Sequence, residues 1–351
     1  MLNVLSLARI DLKNTILIHV SHDDLDGIGC LTLTNHLMHK AIPRHQNTVQ
    51  KKRCISAHTS NANVNRTIQD AINQLDSYPD LHKVLLMTDI SPNDPELIKE
   101  LNLIHVTRKD VTVVLLDHHP SATQLNRYDW AYVYPTLGEG ENEQRQSGTS
   151  LLMNWIDYQL DCSRLAIGST NMRRFAEEVR RYDTWDWTRY EYATCAEHLS
   201  LLLYNTSKRS FLDRFVNNIN IMLDRDEREI VEAAIKERDD YIETAIAAAF
   251  PMRFNGMDVM VTIATKEISV LGNRLSAQFY DIADAALLVD PKQQRLSMRT
   301  IKDNVNLGVF LVRDFGTANA GGHPMSAGAT PLEWKKLMKA VRNKEKEVFV
   351  C

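Results

Sequence analysis

Three continuous apolar runs, each ending abruptly in acids or histidines, constrain this chain more than any other feature. Ile16-Leu17-Ile18-His19-Val20 leads into Ser21-His22-Asp23-Asp24-Leu25-Asp26-Gly27. Val84-Leu85-Leu86-Met87 leads into Thr88-Asp89, and Val111 to Leu116 leads into Asp117-His118-His119-Pro120. Runs of strand length without polar alternation mark strands covered on both faces, so a parallel sheet flanked by helices is expected. In such sheets ligands collect outside the carboxyl ends of the strands. The pattern therefore delivers His22, Asp24, Asp26, Asp89, Asp117, His118 and His119 to one rim. A single acid there serves equally well as a turn former or helix cap. Three strands ending this way point to a site.

Several carboxylates converging on one cleft repel one another and take up protons unless a cation offsets them. Two divalent ions bridged by a shared carboxylate meet that need, whereas a single zinc leaves acids over. Mixed carboxylate and imidazole donors suit Mn²⁺, with Mg²⁺ or Co²⁺ as substitutes, better than a calcium cage built of oxygen alone. Ions about 3.5–4 Å apart activate a water and clamp a phosphoryl group in line.

Composition narrows the partners. Of 351 residues, 41 are Lys or Arg and 45 are Asp or Glu, a net charge of −4, which argues against a grip on long duplex nucleic acid. With 44% hydrophobic and 25% charged residues, the chain can build a globular core. No run approaches the ~18 apolar residues of a membrane span, and residues 1–13 are not expected to act as a secretory signal. Five scattered cysteines without a C-x-x-C pair imply neither a disulfide framework nor a thiolate zinc site, so a cytoplasmic location is expected. Cys30 is expected to be a buried small residue and not a nucleophile.

Residues 27–40 are expected to be helical and 135–147 an exposed polar loop. A charged stretch without Gly or Pro, 224–249, predicts a long helix stopped by Pro251. Beyond it, 259–263, 285–289 and 295–299 predict strands around a helix at 271–280. The expected architecture is α/β: a parallel-sheet domain over residues 1–220, a helical linker over 221–250, and a smaller α/β domain over 251–345.

The order of motifs resembles the DHH phosphoesterase superfamily. His22-x-Asp24-x-Asp26-Gly27, Asp89 at a strand end, and Asp117-His118-His119 are similar to its first three motifs, and Arg180-Arg181-Tyr182-Asp183-Thr184-Trp185 to its fourth. Ala320-Gly321-Gly322-His323-Pro324-Met325-Ser326-Ala327-Gly328 resembles the Gly-rich turn of the DHH-associated C-terminal domain, and Leu296-Ser297-Met298-Arg299 its strand ending in a substrate-binding Arg. Ala320 and Ser326 depart from the usual Gly and Ala, but both are small. The resemblance covers about residues 16–330, and the Arg-Tyr-Asp-Thr-Trp run is most similar to the bacterial oligoribonuclease (nanoRNase) branch.

That resemblance implies a division of labour. His22, Asp24 and Asp89 would bind one ion, and Asp26, Asp89, His118 and Asp183 the other. Asp117 would orient a neighbouring imidazole, and His119 would face the scissile phosphate or the leaving oxygen. Asp183 is preferred over its neighbour Asp186, and Asp23 is expected to be a solvated turn residue. Arg299, Gly321, Gly322 and His323 would hold substrate, by a bidentate guanidinium contact and backbone N–H groups. Tyr182, Trp185 and Trp187 are expected to pack, and His36, His39, His45, His58, His82, His105 and His198 to be surface or core residues. The implied activity is two-metal hydrolysis of short single-stranded RNA or dinucleotides to mononucleotides, without a membrane or long duplex partner and compatible with a homodimer. The alternatives are a 3′-phosphoadenosine 5′-phosphate phosphatase, a linear or cyclic dinucleotide phosphodiesterase, and a nucleotide-binding regulator without turnover.

Overall fold

The computed structural model describes residues 11–41, 53–159, 170–186, 194–317 and 319–349. Trp187, His45, Cys162 and Cys351 lie outside the described residues. The chain divides into two compact units, Met1–Val231 and Glu232–Cys351.

In the first unit, β1 (Thr15–His22), α1 (Leu25–Ala41), β2 (Cys54–Thr59), α2 (Val64–Asn73), β3 (His82–Thr88), α3 (Pro95–Thr107), β4 (Val111–Asp117) and β5 (Ala131–Val133) build a five-stranded sheet. Every pairing in it is parallel, in the order β2-β1-β3-β4-β5. The three apolar runs are its central strands, and Ile18, Val20, Leu85, Met87, Val113 and Leu115 enter one core with residues of α2 and α3. After β1 the chain goes to one side for β2, then crosses back for β3. The switch in direction opens a crevice between the carboxyl ends of β1 and β3, where doubly wound sheets bind ligands.

Helix α1 is buried along nearly its whole length, as its apolar composition on all sides requires. It packs against β1 and against α4 (Gly148–Gln159), α5 (Thr170–Asp183) and α7 (Lys208–Asn217). Helix α6 (Thr194–Asn205) precedes α7. A side chain at Gly27 would run into the main chain of His22, so the tight β1–α1 turn needs glycine there.

The segment 135–147 departs from the expected loop. Thr136–Leu137 (β6) and Gln144–Arg145 (β7) pair antiparallel, and Gln146 and Ser147 are buried where α4 begins. Strands of two residues carry no periodicity to read.

Helix α8 (Arg225–Ala247) spans the division between the units. The second unit contains β8 (Phe250–Phe254), β9 (Met257–Ile263), α9 (Ile268–Gln278), β10 (Ala285–Asp290), β11 (Arg295–Arg299), α10 (Leu307–Phe315), β12 (Ala320–His323), β13 (Ser326–Ala329) and α11 (Trp334–Phe349). Its sheet runs β12-β13-β11-β10-β9-β8, with β9 and β10 parallel across α9 and the other pairs antiparallel. Pro251 does more than end a helix: it lies inside β8, an edge strand, where a missing N–H is tolerated. The Gly-rich run is likewise not simply a turn. Gly321 and Gly322 lie in β12, and the reversal falls at Pro324-Met325. No described helix is long and apolar enough to cross a membrane.

Candidate metal centre

Strand register assembles the rim. Ser21 pairs with Thr88 and Thr88 with Leu116, so the next row brings His22, Asp89 and Asp117 side by side. His22 Nδ1 lies 2.7 Å from Asp24 Oδ2 and 3.8 Å from Asp89 Oδ2. The other Asp89 oxygen, Oδ1, lies 3.1 Å from His118 Nε2. His118 Nε2 is in turn 3.8 Å from Asp26 Oδ2 and 3.7 Å from Asp183 Oδ2. Three overlapping donor groups result among the described residues, His22–Asp24–Asp89, Asp89–Asp117–His118–His119 and Asp26–His118–Asp183, the donor atoms of each lying within 4.8 Å of one another. Asp89 turns Oδ2 toward His22 and Oδ1 toward His118, the residue that the other two groups share.

Each side chain is held by a device of its own. Asp89 adopts a left-handed backbone (φ 57°), which Asp tolerates better than most residues, and its N–H donates to Leu116 O at 2.9 Å. Asp26 sits on the N-terminus of α4, accepting from Gly148 N at 2.5 Å and Thr149 N at 2.9 Å, where unpaired helix N–H groups favour an anion. Asp117 accepts from His118 N, from Ser91 Oγ at 2.5 Å, and from His119 Nδ1 at 2.7 Å. On α5, the buried Arg180 donates to Glu177 and, at 2.8 Å, to Asp186. Asp186 is thereby engaged away from the cluster, and Asp183 is the acid that joins it. Asp23 is not merely solvated: Lys208 Nζ lies 3.3 Å from its Oδ2.

A buried polar layer lies beneath. His19 bridges Thr34 at 2.9 Å and Thr88 at 2.8 Å, and Ser21 Oγ lies 2.7 Å from Thr88 Oγ1. Cys30 is fully buried, and burial, reinforced by the nearby Asp26 carboxylate, pushes its thiol well above the ordinary value, as suits an inert packing residue.

The electrostatics call for a cation. Burial, then the Asp26, Asp24 and Asp183 carboxylates, push Asp89 well up. Burial and the Asp26 and Asp24 charges do the same to Asp183. Burial also acts against ionisation of Asp24, but the His22 hydrogen bond and charge hold it below the usual carboxylate range. Burial lowers His118, keeping its imidazole neutral as a ligand requires, whereas the Asp117 hydrogen bond raises His119 to about 9. Asp89 Oδ2 is buried with no hydrogen-bond partner. An orphaned acceptor among mutually repelling carboxylates is the environment that divalent ions satisfy, and the donor set fits a pair of them.

No family model matches the chain. Oligoribonuclease NrnB of Bacillus subtilis (strain 168) is 25% identical over 315 residues, covering 88% of this chain and 71% of that protein. Among solved structures, the DHH domain of a member of the S1p family of ribosomal proteins superposes with a TM-score of 0.55 at 13% identity, covering 96% of this chain and 87% of that one. RecJ of Thermus thermophilus, solved in complex with Mn²⁺, gives 0.52 at 12% identity, covering 95% of this chain and 52% of RecJ. The chain is similar in sequence to oligoribonuclease NrnB and shares the fold of DHH-domain proteins.

The second unit carries the remaining candidates. Arg299 pairs with Ser326 and Ser326 with His323 across β11, β13 and β12, so the three side chains share one face. The Arg299 stem packs on Gly272, and its guanidinium donates to Ser269 Oγ and Met298 O, both at 3.0 Å. Burial and nearby Arg295 lower its pKa, and no carboxylate pairs with it among the described residues. Gly321, Gly322 and His323 are exposed.

Sequence reasoning missed the supports: Gly148 and Thr149 under Asp26, Ser91 behind Asp117, and His19 below Thr88. The run Ser147-Gly148-Thr149-Ser150 is a helix-start signature that could have marked the first of these. Nothing local marks the others.

Proposed function

We propose that the chain hydrolyses phosphodiester bonds of short oligoribonucleotides, releasing mononucleotides, with two divalent cations, Mn²⁺ by preference, held by His22, Asp24, Asp26, Asp89, His118 and Asp183. The observation that carries this reading is Asp89, whose two oxygens face separate donor groups. The similarity to oligoribonuclease NrnB supports the substrate class. When bound, the cations supply Lewis acidity, lowering the pKa of water and offsetting charge on phosphoryl oxygens.

The protein's own groups do the rest. Asp117 holds His119 through Nδ1, which leaves the opposite edge of a side chain 48% exposed free to present a proton to a phosphoryl or leaving oxygen. Asp26 is fixed by the α4 N-terminus and His118 by its place on the rim, so neither has to reorganise as charge develops. In the second unit, Arg299 and His323, projecting from one sheet face, suit a phosphate and a base.

The test is digestion of end-labelled RNA di- to pentanucleotides with Mn²⁺, beside 3′-phosphoadenosine 5′-phosphate. Mononucleotides released from the dinucleotide support the proposal. Release of inorganic phosphate from the bisphosphate alone replaces it with a phosphatase, and turnover of neither with intact Mn²⁺ binding makes the chain a nucleotide-binding regulator.

A further inference from the structure

The turn between β1 and α1 carries one acid that the donor groups do not use. Asp23 lies between His22 and Asp24 in the chain, and each of its oxygens has a different neighbour. Oδ1 is 3.8 Å from His22 Nε2, and Oδ2 is 3.3 Å from Lys208 Nζ. The opposite nitrogen of the same imidazole, Nδ1, faces the centre, 2.7 Å from Asp24 Oδ2 and 3.8 Å from Asp89 Oδ2. His22 therefore stands between the acids of its donor group on one edge and Asp23 on the other. Lys208 gives Asp23 a fixed anchor. It opens α7, whose start is capped by Ser207 Oγ, accepting from Ser210 N at 3.0 Å. Phe211 and Phe215 of that helix are buried, Phe215 against Phe175 of α5 with ring centroids 5.1 Å apart. At its far end, His36 of α1 donates through Nδ1 to Val216 O at 3.0 Å.

A half-exposed ion pair such as Lys208–Asp23 adds little to stability. What it does is hold a carboxylate at the outer edge of the His22 ring. An imidazole that gives one nitrogen's lone pair to a cation carries its proton on the other. With Nδ1 toward the donor group, that proton is on Nε2 and faces Asp23. The contact is longer than a hydrogen bond, but a negative charge there still favours this tautomer and this orientation of the ring. Histidine ligands of metals use carboxylate partners in this way. Resting on the two-cation reading above, we infer that Asp23 is a positioning residue: anchored by Lys208, it turns His22 so that Nδ1 is presented to the ion shared with Asp24 and Asp89. The rival is plain attraction of cations by one more carboxylate. That effect would act on both ions, would be lost equally in an amide, and would be strengthened by removing Lys208.

The test is calorimetric titration of Mn²⁺ into the full-length wild type, Asp23→Ala, Asp23→Asn and Lys208→Met. Asp23→Ala is expected to weaken one of the two ions about 10–100-fold, the cost of removing such a partner, and to leave the other within about twofold. Asp23→Asn keeps an oxygen that accepts from Nε2–H and is expected to recover most of that loss. Lys208→Met is expected to weaken the same ion, because Asp23 loses its anchor. Melting temperatures of the four metal-free proteins are expected to agree within about 2 °C, as befits a half-exposed pair. Unchanged affinity in Asp23→Ala, an equal loss in Asp23→Asn, or tighter binding by Lys208→Met overturns the inference and leaves the two-cation reading standing. Absence of Mn²⁺ binding by the wild type is a separate result, which overturns that reading and the inference with it.

Discussion

Gly148 lies so close to Asp89 that a β-carbon on the glycine would sit 2.5 Å from the β-carbon of the aspartate. The same glycine donates its N–H to Asp26. One residue therefore sets the spacing between two of the acids and seats the start of α4 beneath them. Gly148→Ala is expected to destabilise the fold by about 1–3 kcal/mol through overpacking. By displacing Asp89 it should reduce activity at least ~100-fold. Thermal unfolding and steady-state kinetics of the variant check both effects.

Asp89→Asn separates repulsion from ligation. Without divalent ions, removing one of the clustered charges should raise the melting temperature, because Asp89 is held against Asp24, Asp26 and Asp183. With Mn²⁺ the order should reverse. Wild type gains stability by mass action, about 2.7 kcal/mol at a hundredfold excess over Kd, and the variant gains little and is inactive. Melting curves with and without Mn²⁺, and after chelation, test this. Activity surviving in the variant would end the shared-carboxylate account.

His19 links the buried layer to pH. Burial lowers it from 6.5 to about 3 in the folded protein. Between those values the unfolded chain binds a proton that the folded one refuses. The stability His19 contributes is therefore fully present above pH 6.5 and is lost as pH falls toward 3, at about 1.4 kcal/mol per unit. His19→Gln should flatten the fall in unfolding free energy over this window by about one proton. Urea titrations of both proteins at several pH values measure it, and parallel curves would contradict the assignment.

Arg299→Ala tests the second unit. Its guanidinium faces no carboxylate among the described residues, and a charge-assisted contact to phosphate is worth about 1.5–3 kcal/mol. The variant should show KM raised about tenfold or more, with Mn²⁺ affinity unchanged by calorimetry. Loss of metal instead would place Arg299 in the centre and not on the substrate.

How much of this was legible beforehand depended on the kind of signal. The strands β1, β3 and β4 were visible because a strand buried on both faces must be apolar throughout, and Ile16, Val84 and Val113 are fully buried. Their acidic ends were visible because the chain changes character where it leaves the sheet. Strands β2, β5, β12 and β13 were not, since an edge strand such as Cys54–Thr59 is only half covered and Ala320–His323 is mostly glycine and alanine.

The chain's own chemistry determined which groups meet: apolar runs commit three segments to one sheet, and parallel pairing puts their carboxyl ends, with His22, Asp89 and Asp117, on one rim. Only the tertiary structure decided how those groups are aimed. The choice between Asp183 and Asp186 turned on Arg180, which takes the second acid for itself. The seating of Asp26 depended on a helix N-terminus 122 residues away in the chain. Such choices are made by packing between distant segments, and no local pattern of residues encodes them.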